Sequence, residues 1–159
     1  MEKGTIQVYY GEGQGKTSAS LGHALRKASE GKHTYIIQFL KCQMNTDYLE
    51  KLEPEVKLFR FERTKEGFDD LTDEQKQEQK VSIQNGLNFA KKVLTTGECD
   101  LLVLDEVLGL IDEGMATEEE VLSILKNRSM FMNVILTGYK ITPGIFEIAD
   151  SVLNVQPEK

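Results

Sequence analysis

Apolar and polar residues change period several times along this chain, and each change marks an element. Thr5-Ile6-Gln7-Val8-Tyr9-Tyr10 is β-branched and aromatic and runs into the glycine cluster Gly11, Gly13 and Gly15, which predicts a strand entering a tight loop. From Thr17 to Ser29 the apolar positions return at helical spacing, with Leu21, Ala24, Leu25 and Ala28 facing inward and Gly31 as the stop. Thr34 to Leu40 reads as a largely buried strand and Val56 to Phe61 as an alternating one, with a polar, partly helical connection from Cys42 to Leu52 between them. Glu62 to Asp70 lacks any period and predicts a charged surface loop. A long helix capped within Asp70 to Thr72 follows, reaching about Thr95, with Val81, Leu87, Ala90 and Leu94 inward and Gly97 at its end.

Leu101-Leu102-Val103-Leu104 closes on Asp105-Glu106, the profile of a central strand with acids at its carboxyl end. Thr117-Glu118-Glu119-Glu120 has the spacing of a capping box for a helix to about Arg128. Asn133–Thr137 and Ser151–Val155 supply two more strands, with Pro143 in the first turn of a short helix between them. Strand and helix alternating at this spacing imply right-handed crossovers: an α/β fold of the phosphate-loop NTPase type, with a mostly parallel sheet of about six strands and helices on both faces. Ligands of such sheets bind at the carboxyl ends of the strands.

Length and composition narrow the reading. At 159 residues, without repeat or linker, the chain is expected to form one domain over residues 1–159. A hydrophobic fraction of 40% against 28% charged is that of a globular protein. The net charge of -7 disfavours nucleic acid and anionic membrane as partners, so an anionic ligand must be held locally. Cys42 and Cys99 cannot form a redox pair or zinc ribbon, His23 and His33 lie in no ligand cluster, and no apolar run is long enough to span a bilayer; a cytoplasmic protein is expected.

The candidate chemistry begins at Gly11-Glu12-Gly13-Gln14-Gly15-Lys16-Thr17-Ser18, between the first strand and the first helix. Glycines let backbone N–H groups face an anion, the helix amino end adds its dipole, Lys16 brings a positive charge and Thr17 a hydroxyl for Mg²⁺. The strict phosphate-loop pattern wants glycine where Tyr10 stands, so this is a variant match, and a plain glycine turn with one exposed lysine is the alternative. Asp105, ending a central strand beside the loop, would order Mg²⁺. Glu106 would position or deprotonate a water in a hydrolase, or serve the metal in a transferase; alternatively both acids cap the next helix.

The run GEGQGKTSASLGHALRKASEGKHTYIIQFLK, followed in order by LLVLDEV, VILTGY and EIADSV, resembles the ATP:corrinoid adenosyltransferases from about Ile6 to Val155. Gln38-Phe39-Leu40-Lys41 and Thr137-Gly138 are closer to this family than to other phosphate-loop proteins. The resemblance implies a nucleotide-binding fold, often dimeric, that transfers the 5′-deoxyadenosyl group of ATP to reduced corrinoid cobalt and releases triphosphate, with an electron-donor flavoprotein as partner. It also implies that Gln38 and the catalytic Lys41 line the nucleotide and corrinoid side of the sheet, that Thr137 and Gly138 contact the nucleotide, and that Phe68 displaces the corrinoid's lower ligand. Phe68 could equally anchor its loop to the domain.

The sequence departs from the family pattern at Asp70, where some members carry tryptophan, and at Tyr139, where arginine commonly follows Thr-Gly, with Lys140 next. It also begins almost at the first strand and ends at Lys159, whereas some members extend further at both ends. Two other functions stay open on the sequence: an ATP-binding regulatory or corrinoid-handling protein without transfer, and a phosphate-loop hydrolase or kinase.

Overall fold

The β-branched and aromatic stretches form strands in the computed structural model of the chain, which describes residues 2–39, 47–61 and 70–159. In chain order the elements are β1 (Ile6–Tyr10), α1 (Lys16–Ser29), β2 (Thr34–Gln38), α2 (Asp47–Glu50), β3 (Val56–Arg60), α3 (Asp73–Thr96) and β4 (Leu101–Asp105). They continue as α4 (Val107–Asp112), α5 (Glu118–Lys126), β5 (Asn133–Gly138), α6 (Pro143–Ile148) and β6 (Ser151–Asn154). The six strands pair in parallel in the order β3-β2-β4-β5-β1-β6. The predicted α/β class and six-strand sheet are therefore present, and the sheet is parallel at every pairing. Strand β5 lies between β1 and β4, so the acid-bearing strand is one removed from β1, yet its last residue, Asp105, still lies beside the loop and accepts from Thr17 Oγ1.

Alternation sorts the sheet residues onto two faces. Ile6, Val8, Ile37, Leu102, Leu104, Val134 and Leu136 point into a core completed by α3, α4, α5 and α6. Tyr9, Ile36, Val103 and Ile135 point the other way, against Leu21, Ala24 and Ala28 of α1 and Leu49 of α2. Covered on both faces, β4 is buried at all five positions, which is why it reads as an unbroken apolar run. Truncating a core leucine such as Leu104 should cost about 2–5 kcal/mol, because little can relax into the cavity.

The caps follow the sequence closely. Thr72 with Gln75 and Thr117 with Glu120 form complete capping boxes, and Thr142 caps α6 with Pro143 in its first turn. Two inward assignments were wrong: Leu25 and Val81 are 49% and 51% exposed. On α3 the buried stripe runs through Gln79, Ser82, Ile83, Gly86, Leu87, Ala90, Val93 and Leu94, and Val81 lies off its phase. Helix α4 was given no range; it entered only through the alternative in which Asp105 and Glu106 cap the next helix. The expectations for Lys41, Cys42 and Phe68 fall outside the described residues.

Candidate active site

The polar residues of the α1-side face collect at the carboxyl edge of the sheet. Register places Gln38 of β2 between Arg60 of β3 and Asp105 of β4, on the face that carries Ile36 and Val103 below them. Thr137 ends the same face of β5, with Ile135 two residues before it. Asp105 is fully buried, and side chains that donate to it among the described residues include Thr17, Oγ1 to Oδ1 at 3.1 Å, Thr137, Oγ1 to Oδ1 at 2.8 Å, and Gln38, Nε2 to Oδ2 at 3.3 Å. A buried carboxylate at an apolar strand end is tolerable only because it is so well supplied with donors. Arg60 Nε in turn donates to Gln38 Oε1 at 3.3 Å.

The loop after β1 is held at both sides. The Gly11 N–H donates to the Gly138 carbonyl at 3.1 Å, and the Gly13 N–H donates to the Val155 carbonyl at 2.8 Å. Gly11 has a φ of 125°, and a Cβ there would lie 2.3 Å from the Val155 oxygen; one on Gly13 would lie 2.9 Å from it. These two glycines thus admit the chain that follows β6, and their N–H groups face protein carbonyls, not an anion as expected. The backbone suited to an anion is instead the amino end of α1. Its N-cap, Gly15, has a φ of 105° and provides no side-chain cap, and no acid occupies the first turn. The first turn of a helix has no carbonyls one turn back for its N–H groups, and together with the helix dipole this suits the amino end of α1 to an anion.

Lys16 is 8% exposed and folds back over the loop, its Nζ donating to the Gly11 carbonyl and, at 3.0 Å, to the Gly13 carbonyl. The same ammonium sits 4.9 Å from the centroid of the Tyr139 ring, which is 56% exposed. Glu106 has left-handed backbone, with φ 64° and ψ 19°, and its N–H donates to Thr137 Oγ1 at 2.9 Å. It is the N-cap of α4 but makes no side-chain cap, which does not favour the capping role.

Gly138 is buried, and a Cβ there would lie 2.4 Å from Leu108 Cβ, so close packing of β5 on α4 accounts for this glycine. Glu12, Gln14 and Ser18 are exposed at the loop surface. The structure therefore brings together Gly11, Gly13, Gly15, Lys16, Thr17, Gln38, Asp105, Glu106, Thr137 and Gly138. Sequence reasoning assigned nothing to Arg60 and saw Tyr139 only as a missing arginine. For Arg60 the available signal was its position ending β3, one strand from Gln38.

Among the described residues no group of three or more His, Cys, Asp and Glu could hold a metal. Thr17, Asp105 and Glu106 are hard oxygen donors of the kind Mg²⁺ takes, and Mg²⁺ usually needs only one or two of them when phosphate oxygens and water complete its shell. The donor set fits a metal that arrives with a nucleotide. No helix among the described residues is long and apolar enough to cross a membrane.

Comparison with known proteins decides the family. The family profile described as ATP:corrinoid adenosyltransferase BtuR/CobO/CobP matches residues 2–159. The chain belongs to the ATP:corrinoid adenosyltransferase family. Similar proteins include the corrinoid adenosyltransferase of Escherichia coli (strain K12), 31% identical over 99% of this chain and 79% of that protein. Corrinoid adenosyltransferase CobA of Salmonella typhimurium (strain LT2) is 32% identical over the same shares, and the Pseudomonas aeruginosa corrinoid adenosyltransferase is 27% identical over 97% and 75%. Membership makes this an enzyme of the corrinoid adenosyltransferase kind.

Proposed function

We propose that the enzyme transfers the 5′-deoxyadenosyl group of ATP to the Co(I) centre of a corrinoid: a cobalt–carbon bond forms at C5′, the C5′–oxygen bond breaks, and triphosphate leaves with the electron pair. The observation that carries this reading is the connection of Thr17, at the amino end of α1, to the buried Asp105 beside Lys16 and its loop, in a chain of this family. Co(I) is itself the nucleophile, so no side chain has to take a proton from it. The protein's task is alignment and stabilisation of charge on the leaving triphosphate.

Lys16 leaves the Gly11 and Gly13 carbonyls for phosphate oxygens, and the N–H groups at the start of α1 bind the same anion. Mg²⁺, held by Thr17 and Asp105 with Glu106 nearby, would neutralise further triphosphate charge when bound. Thr137 and Gln38 keep the Asp105 carboxylate turned toward Thr17. On the family pattern, Lys41 and Phe68 serve the corrinoid, an electron-donor flavoprotein reduces the corrinoid cobalt to Co(I), and the enzyme works in the cytoplasm as a homodimer. The test is product analysis under anaerobic conditions. Triphosphate made only in the presence of Co(I) corrinoid supports the proposal; ADP or phosphate made without corrinoid replaces it with a hydrolase or kinase.

A further inference from the structure

We infer that Arg60 is a positioning residue for the Asp105 carboxylate and acts on it through the side-chain amide of Gln38. The inference rests on the proposed role of Asp105 toward Mg²⁺-nucleotide. Arg60, Gln38 and Asp105 end three adjacent strands at one register level, so the three side chains form a single row along the sheet edge. The Gln38 side chain is buried, at 3% exposure, and is bonded on both sides: its oxygen accepts from Arg60 Nε at 3.3 Å and its nitrogen donates to Asp105 Oδ2 at 3.3 Å.

Direction is the point of the arrangement. An amide carries an acceptor at one end and donors at the other, and these ends exchange by a half-turn about the last side-chain bond. A guanidinium can only donate. Arg60 therefore requires the amide oxygen on its own side, which puts the NH₂ group toward Asp105. In the flipped state the Gln38 oxygen would face the Asp105 carboxylate, oxygen against oxygen, while its NH₂ group would face a second donor. With Oδ2 held by Gln38, the Asp105 carboxylate plane is set, and Oδ1 is aimed at the hydroxyls of Thr17 and Thr137. Arg60 itself is exposed and ends an outer strand, so it can be changed without opening the core.

The experiment measures ATP affinity by titration calorimetry with and without Mg²⁺, in the absence of corrinoid. It compares the unsubstituted protein with Arg60→Met, Arg60→Lys, Gln38→Leu and the Arg60→Met/Gln38→Leu double variant, each checked for a cooperative melt. Arg60→Met is expected to leave Mg²⁺-free affinity within about twofold while reducing the Mg²⁺-dependent gain roughly fivefold to tenfold, the upper part of the range for one ordinary hydrogen bond, as suits a link that acts at one remove from an exposed guanidinium. Arg60→Lys, which keeps a donor, should recover most of that gain. The double variant should lose no more of it than Gln38→Leu alone, because both changes break the same chain of bonds. A wild-type Mg²⁺ response in Arg60→Met, or losses that add in the double variant, overturns the inference and leaves the Asp105 reading standing. Absence of any Mg²⁺ effect in the unsubstituted protein overturns both.

Discussion

Glu106 carries the one non-glycine residue with positive φ among the described residues, and replacing it separates backbone strain from chemistry. Left-handed backbone costs an L-residue about 1–2 kcal/mol relative to glycine. Glycine gives back about 0.4–1 kcal/mol through the greater freedom of the unfolded chain. Glu106→Gly should therefore gain about 0.5–1 kcal/mol over Glu106→Ala, which keeps the strain and removes the same carboxylate. For a chain of this length that difference raises the melting temperature by roughly 1–4 °C. Both variants lose the carboxylate, so both should show reduced adenosyl transfer at saturating Mg²⁺ and ATP. The assay is paired: thermal melts of the two variants, and initial transfer rates under the same conditions. A Glu106→Gly protein that melts no higher than Glu106→Ala would refute the strain argument. Full transfer activity in both would refute any role for the carboxylate.

Other substitutions probe the neighbouring groups. Lys16→Ala should weaken ATP binding at least tenfold, since a triphosphate loses its one buried ammonium from the loop, and unchanged affinity by calorimetry would reject that role. Tyr139→Ala removes a ring contact of about 0.5–1 kcal/mol from the folded-back Lys16 and should tighten ATP binding by twofold to fivefold, whereas weaker binding would show that the ring serves the nucleotide instead. Phe68→Ala should reduce corrinoid turnover more than ATP affinity, and wild-type turnover would reject its corrinoid role. His23 accepts or donates a 2.8 Å hydrogen bond with the Tyr9 hydroxyl, and burial first, then Arg26 and Lys27, lowers its pKa below 6.5. The folded state thus resists protonating it: the His23 contribution is complete above pH 6.5 and is lost as pH falls through the lowered value. Melting temperature should fall with acidification in that window, and His23→Gln should flatten the fall.

Much of this architecture was legible because burial and period agree. β4 reads as a central strand because both faces are covered, Thr72 and Thr117 mark helix starts because their hydroxyls satisfy orphan backbone donors, and Pro143 marks the first turn of α6. Val81 misled because it is apolar but stands off the α3 stripe, where Gln79 and Ser82 are buried in its place. α4 was hidden since six residues cannot display a helical period, and since the turn before it is made by Glu106 in a conformation usually left to glycine. Strand order is a long-range property. Nothing local announces that β5 inserts between β1 and β4, or that Thr137 would thereby reach both Asp105 and the Glu106 N–H. Gly11 and Gly138 were conspicuous as loop and strand-end glycines, but the atoms that exclude their Cβ, the Val155 carbonyl and Leu108, lie far off in sequence.

The most direct measurement is stoichiometry: ATP, Mg²⁺ and chemically reduced cobalamin are mixed with the protein under anaerobic conditions. Loss of the Co(I) absorption band, formation of a light-sensitive cobalt–carbon bond and release of triphosphate are then followed together. The account predicts one triphosphate per cobalt–carbon bond, none without corrinoid, and a collapse of both products in Lys16→Ala. ATP binding without adenosylation of cobalamin or a precursor corrinoid would contradict it and point to a regulatory or corrinoid-handling protein.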